Sequence, residues 1–575
     1  MWLWLGSVAL AVPVVEGGPV VRGEPLDLVL SGLAPGEPVA LGASVAGPGV
    51  GPCLPDDPSV CLALVRPVKV AAAVADGAGQ AAVRLVVPSA LTTDPVWLQA
   101  VGLGGSGAGT VRELEVLPPE PDAALGELWR VHAERYAEGS RLEAAAAAGD
   151  VNGDGWADLV IGQRGFGGDR GKAHVVFGPL VGDVDLYDDD RSLMEDEAGA
   201  AHGAAVLGPG DLDGDGYDDV VIGAPLSSES GAFESGRVTV WAGPLPTDHI
   251  FGDMLADLAT GRLLGDGEGD EAGSTLATAG DLTGDGLADL WVGAPFHDVA
   301  VRWEGAVYLV AGPVEGTSDL ADAAAVLTGV DEAERAGTVI AGGHDISGDG
   351  VADLVVGAAP WSTNRGRVFV VTSVAPGVSS LDGASGVWSG EAEGDFAGGA
   401  VSVGPDVDGD GLGDVLAGAR FADGAFHSGG RAYLLPGPAS GAGSMADGAV
   451  AIVDGLERAG GAGQSVAITE DMTGDGWPDV WVGTQPSAGD SRYTAGAACL
   501  VPGPVAGVLD LADAWCWVGE AYSDDAASQI SGVPDLTGDG RSDVLVLAPD
   551  HATPWALGYL EGVNDGAAYV IPGGL

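Results

Sequence analysis

Basic residues are scarce in this chain. Its 575 residues include 23 Lys and Arg against 84 Asp and Glu, a net charge of −61, and the only lysines are Lys69 and Lys172. A surface this negative repels phosphate backbones and anionic headgroups, which argues against nucleic acid and acidic membranes as partners. Long apolar runs are missing too. The one short run, residues 2–11, ends in Ala9-Leu10-Ala11, a small-x-small cleavage pattern, and is too short to span a bilayer. It reads as a signal peptide over residues 1–11, although its leading end has no Lys or Arg; the alternative is a buried first strand. No other segment reads as membrane-spanning, and no cysteine follows the run closely enough for a bacterial lipid anchor.

Cysteine is limited to four. Cys53 and Cys61 share one Gly/Pro/Asp-rich loop, and Cys499 and Cys516 fall on successive strand-like runs. Even number and local pairing favour two disulfides, and hence an oxidising compartment, over four buried thiols. Zinc-type Cys-x₂-Cys spacing is absent, and so are the common catalytic signatures. The eight histidines are scattered with no His-Glu-x-x-His, and there is neither a Gly-x-Ser-x-Gly elbow nor a P-loop. Charge this one-sided is often a mark of disorder, but an apolar fraction of 46% and regular strand patterning point to folded cores.

What the chain does have is a nine-residue phrase, Asp-x-(Asn/Asp/Thr/Ser)-Gly-Asp-Gly-x-x-Asp, repeated seven times at intervals of 61 to 70 residues. Positions one, three, five and nine supply the oxygens. The sets are Asp150, Asn152, Asp154, Asp158; Asp211, Asp213, Asp215, Asp219; Asp281, Thr283, Asp285, Asp289; and Asp345, Ser347, Asp349, Asp353. The last three are Asp406, Asp408, Asp410, Asp414; Asp471, Thr473, Asp475, Asp479; and Asp535, Thr537, Asp539, Asp543. Carboxylates crowded this way repel one another unless a cation sits among them. Hard oxygen ligands in a flexible loop suit Ca²⁺, which takes roughly six to eight oxygens at about 2.3–2.6 Å, better than Mg²⁺.

No His or Cys lies inside a copy, which argues against zinc or copper. Glycine at positions four and six permits the positive φ angles such a loop needs. Position seven varies (Trp156, Tyr217, Leu287, Val351, Leu412, Trp477, Arg541), as expected if it contributes only a backbone carbonyl. Up to seven Ca²⁺ ions are therefore expected. The second and fifth copies, with four acids each, should bind tightest; hydroxyl-bearing copies should bind more weakly. The phrase is not an EF-hand, because position twelve is apolar and a β-run follows at once. Asp-Gly hairpin turns alone would not explain acids at positions one and nine every time.

Each phrase sits in a larger unit of about four short strands bounded by Gly or Pro. Seven such units predict a seven-bladed β-propeller with calcium-binding loops, an architecture that leaves no long free sheet edge. The chain ends on a third-strand segment, Gly566–Pro572, so the strand around Gly126–Val131 is expected to complete the last blade. Ala144–Ala148 favours helix by propensity, but its alignment with Thr275–Ala279 predicts an inner strand.

The phrase followed by Val-Gly-Ala-Pro, best seen at Val221–Pro225 and Val292–Pro295, resembles the FG-GAP repeat of integrin α-subunit propellers. The resemblance covers about residues 123–575 and implies the propeller fold and calcium. It departs from that family in the leading Phe-Gly, altered to His202-Gly203, Ala272-Gly273 and Ala336-Gly337, and in carrying a loop in every unit. No inserted ligand-binding domain fits between the second and third loops, so integrin-like ligand recognition is not implied.

Residues 12–117 hold short strand-like runs between Gly/Pro turns, the pattern of a small immunoglobulin- or fibronectin-like β-sandwich; residues 118–122 form a Pro-rich linker to the propeller over 123–575. The loops between second and third strands carry Phe296, Arg302, Trp303, Trp361, Phe426 and Trp555, a pattern typical of recognition surfaces. The same rings would also serve to plug the propeller mouth. The leading expectation is a secreted or cell-surface calcium-binding adhesion or scaffold protein with a protein or glycan partner. The alternative is an extracellular carbohydrate-active lyase or hydrolase using the propeller face.

Overall fold

A computed structural model describes residues 128–132, 141–180, 184–186, 191–194, 197–246, 254–255, 259–359, 365–456, 460–485, 495–520, 524–551 and 566–573, with the backbone of short strands between residues 2 and 124. The chain divides into two compact units, Met1–Ala123 with Leu575, and Ala124–Gly574. In the first, Trp2–Gly6 pairs antiparallel with Gly109–Glu113 and parallel with Trp97–Gly102. Trp2–Gly6 lies within the segment read as a leader. Pro25–Ser31 pairs with Gln80–Val86, and Cys53 stands opposite Cys61 in a short antiparallel ladder.

The second unit is seven five-stranded sheets, one per acidic loop: a seven-bladed β-propeller. In blade 2 the strands run Ala205–Gly210, Asp219–Ala224, Arg237–Trp241 and Gly261–Leu264, each antiparallel to the one before. The first strand is the innermost and is built from small residues. Ala144–Gly149 is such a strand in blade 1, so the crowded ring axis overrides the helix preference of five consecutive alanines. The second strand is buried along its whole length in every blade, as its unbroken apolar run requires. Apolar clusters fill the seams between neighbouring blades; one runs from Leu212 and Val240 of blade 2 to Leu290 and Tyr308 of blade 3.

The glycine of Val-Gly-Ala-Pro has a steric cause. A Cβ on Gly223 would come within 2.0 Å of the carbonyl oxygen of Gly273 in the next blade. Adjacent blades approach here through backbone alone.

The ring closes as the sequence implies. Gln529–Val533, Asp543–Ala548 and Ala567–Ile571 form three strands of blade 7, and Trp129–His132 from the front of the unit is the fourth, with Val131 opposite Ala568. The expected strand count of four per unit is corrected to five. The fifth is a short exposed segment from the following blade, such as Gly316–Asp319, which runs parallel to Gly261–Leu264. These stitches recur around the ring and were invisible because they are only two to four residues long and share no apolar pattern. Cys499 and Cys516 stand opposite one another on the third and fourth strands of blade 6 and form a disulfide.

Candidate metal loops and partner face

Every nine-residue phrase joins the first strand of its blade to the second, so all seven lie on one face. Local hydrogen bonding builds the loop. In blade 2, Asp211 accepts from the N–H groups of Gly214 at 2.6 Å and Gly216 at 2.9 Å, Asp213 from Asp215 at 3.1 Å, and Asp215 from Tyr217 at 2.9 Å. Gly214 and Gly216 have φ of 81° and 93°, a conformation that disfavours any side chain.

Position nine is different. Asp219 is fully buried and accepts from Leu212 N–H at 2.7 Å and from Gly243 N–H at 2.9 Å. Burial, reinforced by the neighbouring acids, pushes this carboxyl up to about 6, and pushes Asp158 and Asp414 up to about 7.

In three of the seven loops carboxylate oxygens converge. Oxygens of Asp211, Asp213 and Asp219, of Asp406, Asp408 and Asp414, and of Asp535, Asp539 and Asp543 lie within 4.8 Å of one another. Oxygens that share one Ca²⁺ at about 2.3–2.6 Å are separated by at most about 5.2 Å, so these sets fit the ion. Two of the three sets belong to the four-acid loops. In both, positions one, three and nine are the ones that meet, and position five accepts from the position-seven N–H.

Position seven does more than its sequence variation suggests. Its side chain lies over the position-four glycine of the preceding loop: a Cβ on Gly153 would meet Tyr217 at 2.3 Å, on Gly214 Leu287 at 2.9 Å, and on Gly348 Leu412 at 2.7 Å. The free choice among Tyr, Leu and Trp hid this role, since the site asks for bulk and not for one chemistry.

The loops between second and third strands lie at the opposite end of the strands. Phe296 and Trp303 meet edge to face at 6.2 Å, with Arg302 stacked on the Trp303 ring at 3.7 Å. Arg335, at the entry to blade 4, covers Phe296 at 4.7 Å and Trp303 at 5.8 Å. A second cluster joins Phe396 and Phe421 at 6.1 Å under Arg420. Phe421 and Phe426 are exposed. Phe296 and Trp303 are half-buried. Trp361 and Trp555 lie outside the described residues.

A third constellation carries no sequence signature. On this face His297 Nδ1 lies 2.5 Å from Asp270 and 3.2 Å from the Tyr308 hydroxyl, which donates to Asp266 at 3.0 Å. Blade 7 repeats it with His551, Asp524, Tyr569 and Glu520. The repetition at equal strand positions was the one available signal.

Fold and loops together define a seven-bladed propeller with an acid-lined loop in every blade. Four stretches, residues 144–176, 203–241, 272–310 and 336–371, match the FG-GAP repeat family. Relatives include integrin alpha pat-2 of Caenorhabditis briggsae, 30% identical over 40% of this chain and 18% of its own length. Integrin alpha-5 of Xenopus laevis is 31% identical over 41% of this chain and 22% of its own. Phosphatidylinositol-glycan-specific phospholipase D of Bos taurus is 32% identical over 27% and 18%. The match thus spans about a fifth of these relatives. The chain is an integrin-alpha-like FG-GAP repeat protein. No helix among the described residues is long and apolar enough to cross a membrane.

Proposed function

We propose that this protein is an exported adhesion or scaffold protein, secreted or held at the cell surface, that binds an extracellular protein or glycan through the loops between its second and third strands. The observation that carries the reading is the pair of aromatic–arginine clusters on that face. Rings capped by guanidinium groups offer apolar area and directed donors together, the composition of binding hot spots. Calcium has a structural role on the other face. Positions one, three, five and nine and the position-seven carbonyl would hold each ion, neutralising the acids and fixing the hairpin. The integrin-like relatives support the adhesion class, and their short coverage leaves partner identity to experiment.

The test is a pull-down on surface-protein extracts together with a glycan array, both with calcium present. Binding should fall at least ~10-fold in Trp303→Ala and Phe426→Ala, since a hot-spot truncation costs about 2 kcal/mol. Unchanged binding with an unchanged melting temperature would remove this face from consideration. Turnover on a polysaccharide panel would favour the enzymatic alternative instead.

A further inference from the structure

The seven blades serve as internal controls for one another. The residue that opens the third strand is Arg237 in blade 2, Arg367 in blade 4 and Arg431 in blade 5. Each is paired with acids at the seam with the preceding blade or within its own blade. Arg237 meets Glu229, Arg367 meets Asp331 and Glu334, and Arg431 meets Glu391 and Asp454. In blade 7 the position is Ala567, and Arg130 of the neighbouring strand supplies the charge to Glu520 at 2.5 Å. A fixed cation therefore answers the acids in these four blades; blade 1 opens its third strand with Lys172 and blade 6 with Ala497.

Blade 3 also opens without a cation, and no neighbouring strand supplies one to its acids among the described residues. Its third strand opens with Ala306, yet Asp266 and Asp270 remain, and among the described residues no Lys or Arg lies within ion-pair distance of either. The cationic position is taken by an imidazole alone. Asp270 and His297 are buried, Asp266 is exposed, and one donor atom from each lies within 4.8 Å of the others. Donors around a tetrahedral zinc-class ion at about 2.0–2.2 Å stand about 3.3–3.6 Å apart, so closing onto an ion takes a shift of up to about 1.5 Å, within reach of the exposed Asp266 side chain. The Tyr308 hydroxyl fixes the Asp266 carboxylate.

We propose that Asp266, Asp270 and His297 form a divalent-metal site of the zinc class, on the face opposite the nine-residue loops. The ion stands where the other blades place a guanidinium. A nitrogen donor beside two carboxylates selects zinc or cobalt over calcium, which prefers oxygen throughout. Three protein ligands leave one position for water, and exposed Asp266 gives the ion a way in.

The probe is Co²⁺, titrated into the full chain in millimolar Ca²⁺ so that the acidic loops are saturated. One equivalent should bind with a visible d–d band. His297→Ala and Asp266→Asn should each weaken it by at least ~100-fold, the upper range for losing even an indirect metal contact. Circular dichroism melts in calcium check that both variants fold; Asp266 is exposed, so that variant keeps the fold. Ala306→Arg, which restores the pattern of blades 2, 4 and 5, should abolish uptake. Absence of the band in the wild-type protein overturns the site, and so does a band that survives either ligand variant.

Discussion

Trp156 of the first acidic loop lies over Gly538 of the seventh: a Cβ on that glycine would stand 3.4 Å from the indole. This contact closes a belt in which most loops are covered by the position-seven side chain of the next. The loops are thus coupled, and strain in one should be felt by its neighbour. Gly153→Ala tests the coupling, because Gly153 has φ of 78° and its new methyl would meet Tyr217 at 2.3 Å. The expected loss is about 1–3 kcal/mol, read from chemical denaturation. In Gly153→Ala/Tyr217→Ala the combined loss should be smaller than the sum of the two singles, since the clash is gone.

Removing calcium should lower the melting temperature. An ion present at 100 times its dissociation constant adds about 2.7 kcal/mol, and several loops add together. The four-acid loops of blades 2 and 5 should hold calcium most tightly. Asp213→Ala and Asp408→Ala should therefore reduce the calcium bound in a limiting titration by about one ion each. Calorimetry with unchanged stoichiometry in both variants would show that these carboxylates are not ligands.

Positions three and nine should separate when calcium is absent. Asp219 binds two backbone N–H groups that nothing else satisfies, and leaving a buried donor unmade costs about 1–3 kcal/mol. Asp219→Ala should thus be destabilising in EGTA as well as in calcium. Asp213→Ala should be destabilising in calcium and near neutral in EGTA. Melts of both variants in both buffers decide this. Equal behaviour would mean that position nine acts only through the ion.

Much of the ring was legible because its determinants are local. Asp211 to Asp219 lie within nine residues, and their spacing states their chemistry without any fold. Blade closure was legible too, since the strand-like run at Trp129–His132 precedes the first loop unit and matches the fourth strand that Ala567–Ile571 needs beside it. What stayed hidden depends on contacts between units. Gly316–Asp319 carries no apolar pattern, because it contributes backbone bonds only. Asp270 and His297 are 27 residues apart and on different loops, so only the fold brings them together. Tyr217 looked free to vary because its partner, Gly153, has no side chain to match.

His202 gives the acid limb of stability a specific origin. It stands where the family repeat has its leading Phe; its ring is fully buried, and neither nitrogen has a hydrogen-bond partner among the described residues. Burial, with Arg237 adding its positive charge, pushes this imidazole down to about 3. In the unfolded chain the same ring takes up a proton near pH 6.5. Between those values the unfolded state binds more protons, so the stability from the neutral ring is complete above about pH 6.5 and is lost as the pH falls toward 3. The slope is at most about 1.4 kcal/mol per pH unit. Carboxylates titrate in the same region, but they are common to wild type and variant and cancel in the difference. Relative to His202→Phe, the wild-type protein should lose about 1–2 kcal/mol between pH 6.5 and pH 5, measured by urea unfolding at each pH. A stability difference that stays constant across that interval would mean the ring is already protonated in the fold, and that its burial is answered by a partner.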